Sequence, residues 1–293
     1  MTLAHARNAG SVCGMGTVAG RETAPGRART LCCMSSARTM TAGMRRSARL
    51  VTWARAWRAG TVSYDDVADE TEAGEEHLVA DAPDTWTDIP LREAVRTLSR
   101  LHPDEIRLVL PAPGDPRGLP GPGPFSANAL DVGEGVIASR LGLVPQVRTH
   151  TSGSGDTFET VVWQAYPLME APAAAGDPSP AEAEADLAAA LAEATATLTR
   201  LDVAAWRPDL AGALAALRKP DNGTDLPPGF SPRARRLFAR ATVLDRVLAL
   251  AAEVAPGGAI NGYEAQQRAE ALRPLTTACR RALVAACNSP LEP

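Results

Sequence analysis

The stretch of this chain with the most distinctive chemistry is Pro111-Ala112-Pro113-Gly114-Asp115-Pro116-Arg117-Gly118-Leu119-Pro120-Gly121-Pro122-Gly123-Pro124. It follows a strong strand signal and precedes a helical one. A helix N-terminus offers unpaired N–H groups and partial positive charge, which favours anions. Arg117 could add a bidentate fork, and Asp115 could orient it or act as a base. Gly114 and Gly118 would let the backbone approach a ligand, and Arg140 and His150 are the further candidates. The loop lacks both G-x-x-x-x-G-K-[ST] and G-x-G-x-x-G. Its prolines also remove N–H donors that a phosphate nest needs. A rigid Pro/Gly connector is the competing reading.

Other chemistries find less support. The chain has four histidines, at 5, 77, 102 and 150. No serine sits in a G-x-S-x-G elbow. Ser152-Gly153-Ser154-Gly155 resembles one loosely beside His150, but reads as a turn. The acids Asp65, Asp66, Asp69, Glu70, Glu72, Glu75 and Glu76 do not have calcium-loop spacing and read as a solvated face. No His/Cys spacing suits a metal, and no cofactor is expected. Five cysteines include no C-x-x-C pair. Cys279 and Cys287 read as buried thiols, which suits a reduced, cytoplasmic protein.

Arg233, Arg236 and Arg240 share one helix face, and Arg273, Arg280 and Arg281 lie on the next helix. A nucleic-acid surface is disfavoured by the surrounding charge. Residues 1–50 hold eight Arg and one Glu, or +7; residues 51–230 hold 13 bases and 28 acids, or −15; residues 231–288 hold nine Arg and four acids, or +5. The net charge of −4 is therefore a sum of unlike parts. The folded part is acidic and repels phosphate at long range. The C-terminal arginines are expected to face the acidic part or to stay solvated. No run of 18 apolar residues occurs, so no membrane span is expected.

The elements that must position these residues are legible in outline. Residues 1–50 lack an apolar period and read as a disordered basic tail or a start placed too far upstream, with Met40, Met44 or Val51 as the alternative beginnings. One lysine among 30 basic residues suggests a GC-rich bacterial genome. Trp53 and Trp57 fall four apart on a helix, and Ser63 can cap a second one. Residues 77–80 form a short strand. A helix capped at Thr87 or Asp88 carries Leu91, Val95, Leu98 and Leu101. Ile106–Leu110 is the best strand. Phe125–Arg140 reads as a helix weakened by Gly133 and Gly135. Leu143–His150 and Phe158–Tyr166 form a hairpin, its first strand an edge because Pro145 cannot donate. Residues 171–178 form a linker. Helices then start at Ser179-Pro180-Ala181-Glu182, after Trp206-Arg207-Pro208, at Ser231-Pro232 and at Asn261. Pro274 lies inside the last of them.

The fold class expected is α+β: a small mixed sheet in the order β-α-β-α-β-β over residues 51–170, followed by an antiparallel helical bundle over 179–288 packed on it. Two functions fit. One is a non-catalytic module that binds another protein or a small ligand. The other is an enzyme or sensor for a small anionic metabolite, using the loop 111–124.

Overall fold

The computed structural model describes residues 44–83, 85–153, 155–169, 177–200, 225–253 and 262–292. The expectations for residues 1–43, for the helix after Pro208 and for the cap at Asn261 lie outside these. The architecture is α+β: one mixed six-stranded sheet with helices packed on it and a helical C-terminal region. The elements are α1 (Arg46–Arg58), α2 (Tyr64–Glu72), β1 (Glu76–Ala80), β2 (Ile89–Pro90), α3 (Leu91–Thr97), β3 (Ile106–Val109), α4 (Pro124–Val132), β4 (Gly135–Ala138), β5 (Leu141–Thr151), β6 (Thr157–Pro167), α5 (Pro180–Arg200), α6 (Pro232–Glu253) and α7 (Gly262–Cys287). Among the described residues, no helix is long and apolar enough to cross a membrane.

The sheet order is β2-β1-β6-β5-β4-β3. Only β1 and β6 run parallel; the other neighbouring pairs are antiparallel. The main core lies on one face of the sheet and takes in Val79, Leu108, Val161 and Trp163 with α1, α3, α5, α6 and α7. On the other face α4 covers a smaller cluster of Val109, Phe125, Ala129, Ile137 and Val144. Helix α7 packs against both α5 and α6 and continues through Pro274.

Local chemistry sets several element ends. Ser63 Oγ accepts from the Asp66 N–H, and Asp66 accepts in return from the Ser63 N–H, closing a capping box on α2. Ser179 and Glu182 do the same for α5. Helix α1 begins at Arg46, five residues ahead of the boundary expected at 51, and Met44 and Ala48 join the core.

Two expectations need correction. Residues 125–140 are not one helix. Gly133, at φ +83°, ends α4 in a left-handed cap, and residues 135–138 form the fully buried strand β4. The β-branched pair Val136-Ile137 fits a sheet better than a helix. Pro145 does not mark an edge strand in the sheet order, because β5 lies between β4 and β6. However, β4 pairs only with Leu141, Gly142 and Leu143, so Pro145 lies just beyond that ladder. No pairing with β4 is lost at the missing N–H, because that ladder has already ended.

Candidate functional site

Strand β3 runs into the Pro/Gly loop at Val109. Ala112 and Asp115 exchange both backbone hydrogen bonds, at 3.1 and 2.8 Å, and Gly114 takes φ +81° to close that turn. Gly118 takes φ +82°, and a Cβ there would meet Val109 Cγ1 at 3.0 Å. Both positions need glycine for conformational reasons before any ligand is considered.

The loop turns the Asp115 carboxylate toward α7. Arg280 Nη2 donates to Asp115 Oδ2 at 3.1 Å, and its Nη1 donates to the Leu110 carbonyl at 2.7 Å. Arg281 reaches the two carboxylate oxygens at 3.3 and 3.4 Å. Arg117 approaches Oδ1 through Nε at 3.6 Å. Asp115 is only 13% exposed, whereas the Arg117 side chain is 64% exposed. Burial pushes the Arg280 guanidinium below its ordinary pKa, and Asp115 opposes that shift. Arg280 and Arg281 were legible as a basic helix face, but not as the partners of this acid.

The other two candidates lie elsewhere. Val109 pairs with Gly135 and Ile106 with Ala138, so the loop leaves one end of β3. Arg140 follows Ala138 and sits at the opposite end, its carbonyl accepting from the Leu168 N–H at 2.8 Å. His150 lies far along β5 and stacks on Phe158, with ring centroids 4.9 Å apart. Gly114, Asp115, Arg117 and Gly118 are thus adjacent, while Arg140 and His150 are not part of that group.

A second arrangement seals the outer edge of β3. Backbone groups of alternate residues point to the same side of a strand. Arg55, fully buried on α1, donates to the Ile106 carbonyl at 3.1 Å and to the Ser289 carbonyl at 2.8 Å. Asn288, just after α7, pairs with Leu108 like a strand residue: its Oδ1 accepts from Leu108 N–H at 2.8 Å and its Nδ2 donates to Leu108 O at 3.0 Å. Arg280 takes the Leu110 carbonyl next in line. The edge that could recruit a foreign strand is closed by three side chains.

The opposite holds for the hairpin. Beyond Leu143, β5 pairs with β6 alone as far as Thr151. Beta1 reaches β6 only from Thr160 to Gln164. A two-stranded ribbon therefore projects from the sheet. Val147 is 39% and Phe158 54% exposed on it. The turn is closed by Ser152, whose Oγ accepts from the Asp156 N–H at 3.0 Å. The hydroxyl of that serine therefore takes part in the turn.

A buried polar chain runs beneath β1. Trp163 Nε1 donates to His77 Nδ1 at 3.2 Å, and His77 Nε2 lies 3.3 Å from Glu75 Oε2. Arg46 pairs with Glu75 at 2.6 Å. Burial pushes His77 below the usual histidine range, against the pull of Glu75. The neutral ring with its proton on Nε2 satisfies both neighbours. The acidic run is used similarly: Asp66 caps α2, Asp69 and Glu72 hold Arg92, and Glu75 holds Arg46. Among the described residues, no group of three or more His, Cys, Asp or Glu is placed to hold a metal ion. Cys279 and Cys287 are buried free thiols, and burial pushes both above the ordinary thiol pKa.

Comparison with known proteins places these features in a family. Residues 47–178 match the model of the Rv1486c-like protein, N-terminal domain, and residues 181–284 that of the Rv1486c-like protein, C-terminal domain. The uncharacterized protein Rv1486c of Mycobacterium tuberculosis is 30% identical over 283 residues, covering 84% of this chain and 97% of that protein. The uncharacterized protein ML1804 of Mycobacterium leprae is 26% identical over 291 residues, again covering 84% and 97%. No solved structure matches. The chain belongs to the Rv1486c-like family.

Proposed function

We propose that this chain is a cytoplasmic, non-catalytic binding module, and that its partner is a protein segment that adds as a strand along β5 of the projecting ribbon. One observation carries the reading: β5 has an edge without a strand partner that is open to solvent from 146 to 151, with exposed apolar side chains on its ribbon, while the outer edge at β3 is sealed. Unpaired strand edges are templates for strand addition, in which main-chain bonds give affinity and alternate side chains give selectivity.

The partner strand is acidic. Residues 144–151 carry Arg148 and His150 and no acid. Arg148, His150 and Phe158 share one face of the ribbon, since His150 pairs with Phe158 and Arg148 with Thr160. A second copy would set Arg148 and His150 against their like, which opposes self-pairing.

The test is selection of random twelve-residue displayed peptides on the immobilised full chain. Enriched peptides should alternate apolar and acidic residues. They should lose at least about tenfold in affinity for Arg148→Glu or Phe158→Ser, a change of about 1.4 kcal/mol. Both substitutions are on exposed side chains and should leave the unfolding midpoint unchanged. Lack of enrichment, equal binding to the variants, or a ribbon-dependent dimer in light scattering would each overturn this reading.

A further inference from the structure

We infer that Arg117, Arg280 and Arg281 form a binding site for a phosphate-type dianion at the junction of the Pro/Gly loop and α7. The site is separate from the ribbon and does not depend on its partner.

Three guanidinium groups converge on a single carboxylate. One acid against three bases leaves a local charge of +2. The contacts are also unsaturated. A charge-assisted N–H···O bond is ordinarily about 2.7–2.9 Å. Here Arg280 meets Asp115 at 3.1 Å, Arg281 at 3.3 and 3.4 Å, and Arg117 at 3.6 Å. Asp115 alone does not use the donors gathered around it.

The three arginines also differ in freedom. Arg280 is fixed by the Leu110 carbonyl and mostly buried, so it supplies a positive field that cannot move away. Arg281 is 35% exposed and Arg117 is more open still, so an incoming ligand can reach both. Arg117 comes from the loop itself, and its side chain, 64% exposed, lies at the open end of the contact with Asp115. Planar guanidinium forks match the paired oxygens of a phosphate group, which carries about −1.5 to −2 at neutral pH. Such a ligand would neutralise the +2 that Asp115 leaves.

The acidic balance of the surrounding chain narrows the ligand further. A long polyanion would meet repulsion outside the site, whereas a small dianion feels mainly the local arginines. The class is therefore free phosphate or a small phosphate ester.

Titration calorimetry on the full chain tests this with inorganic phosphate, methyl phosphate, sulfate and chloride at matched ionic strength. Saturable heat with phosphate and none with chloride is expected. Tighter binding of methyl phosphate than of phosphate would identify an ester as the preferred source, and the reverse would identify the free ion. Arg117→Gln and Arg281→Gln should each weaken binding about tenfold, the size expected for one charge-assisted contact. Asp115→Asn removes the competing carboxylate and should tighten binding. Should Asp115→Asn fail to fold, Arg117→Gln still decides, because its side chain is largely in solvent. Equal heats for phosphate and chloride, or affinity unchanged in both Gln variants, would overturn the assignment.

Discussion

Replacing Asn288 by leucine tests whether its side chain is what closes the β3 edge. Leucine has similar bulk and no polar atoms, so the change strands the Leu108 N–H and carbonyl that Asn288 now satisfies at 2.8 and 3.0 Å. Leu108 is fully buried. A buried backbone group left unpaired costs about 1–3 kcal/mol. Two such groups, with partial relaxation, give about 3 kcal/mol. For a fold of this size that lowers Tm by roughly 6–12 °C. The measurement is urea unfolding followed by far-UV circular dichroism, with the slope checked against the parent. Asn288→Asp sharpens the test. It keeps the acceptor for Leu108 N–H but loses the donor, and it sets a carboxylate beside Asp177, which Asn288 Nδ2 now reaches at 3.2 Å. That repulsion raises the folded pKa of the introduced acid above its unfolded value. The folded state then binds the extra proton first, so the loss of stability of Asn288→Asp relative to the parent should shrink as pH falls through the raised pKa. A loss below about 0.5 kcal/mol for Asn288→Leu at unchanged slope would place it among ordinary surface changes and refute the sealed-edge reasoning.

Two further outcomes follow from the packing. His77 is held neutral below its ordinary pKa of 6.5, so the unfolded chain binds its proton first as pH falls. Its contribution to stability should be level well above pH 6.5 and decline as pH falls below that value, and His77→Gln should remove that decline from urea midpoints measured across the range. Gly142→Ala would drive a Cβ into the Phe125 ring, which is buried between α4 and the sheet. That clash should cost about 1–3 kcal/mol in thermal unfolding, with Phe125→Leu in the same chain recovering part of it.

Signals are legible in the sequence where their cause is local. Ser63 and Ser179 carried their capping partners three residues away, and Ile106–Leu110 announced a strand by branching and by the proline after it. Beta4 is not legible, because a four-residue apolar run has no period of its own. The available signal was Gly133-Glu134-Gly135 before two β-branched residues, which suits a helix stop better than a helix interior. Arg55 is hidden for a different reason. Its acceptors, the carbonyls of Pro103, Ile106 and Ser289, are far away in the chain, and nothing near Arg55 marks it as buried. The candidate loop was visible from its Pro/Gly content, but its binding partners were not. The basic face of the last helix was visible too, and the charge imbalance suggested that it meets acids. Only the fold shows that Arg280 and Arg281 both choose Asp115. The reversal of direction between β3 and β4 carries Arg140 to the far end of the sheet from the loop, whereas His150 is set apart by lying seven residues beyond Leu143, where the pairing of β5 with β4 stops.

The closure of β3 also sets a schedule for the growing chain. Leu108 and the side chain that completes its pairing are 180 residues apart. At ordinary synthesis rates of about 5–20 residues per second, that interval is roughly 9–36 s. During it the strand exists with only Arg55, made before it, to cover the Ile106 end of its outer rim, in a molecule whose helical cover is still being made. A nascent chain in that state can pair wrongly with its neighbours, and a holdase able to mask one strand edge would have its greatest effect in that interval. Pausing late in translation should therefore harm yield more than pausing early, although the finished protein is the same.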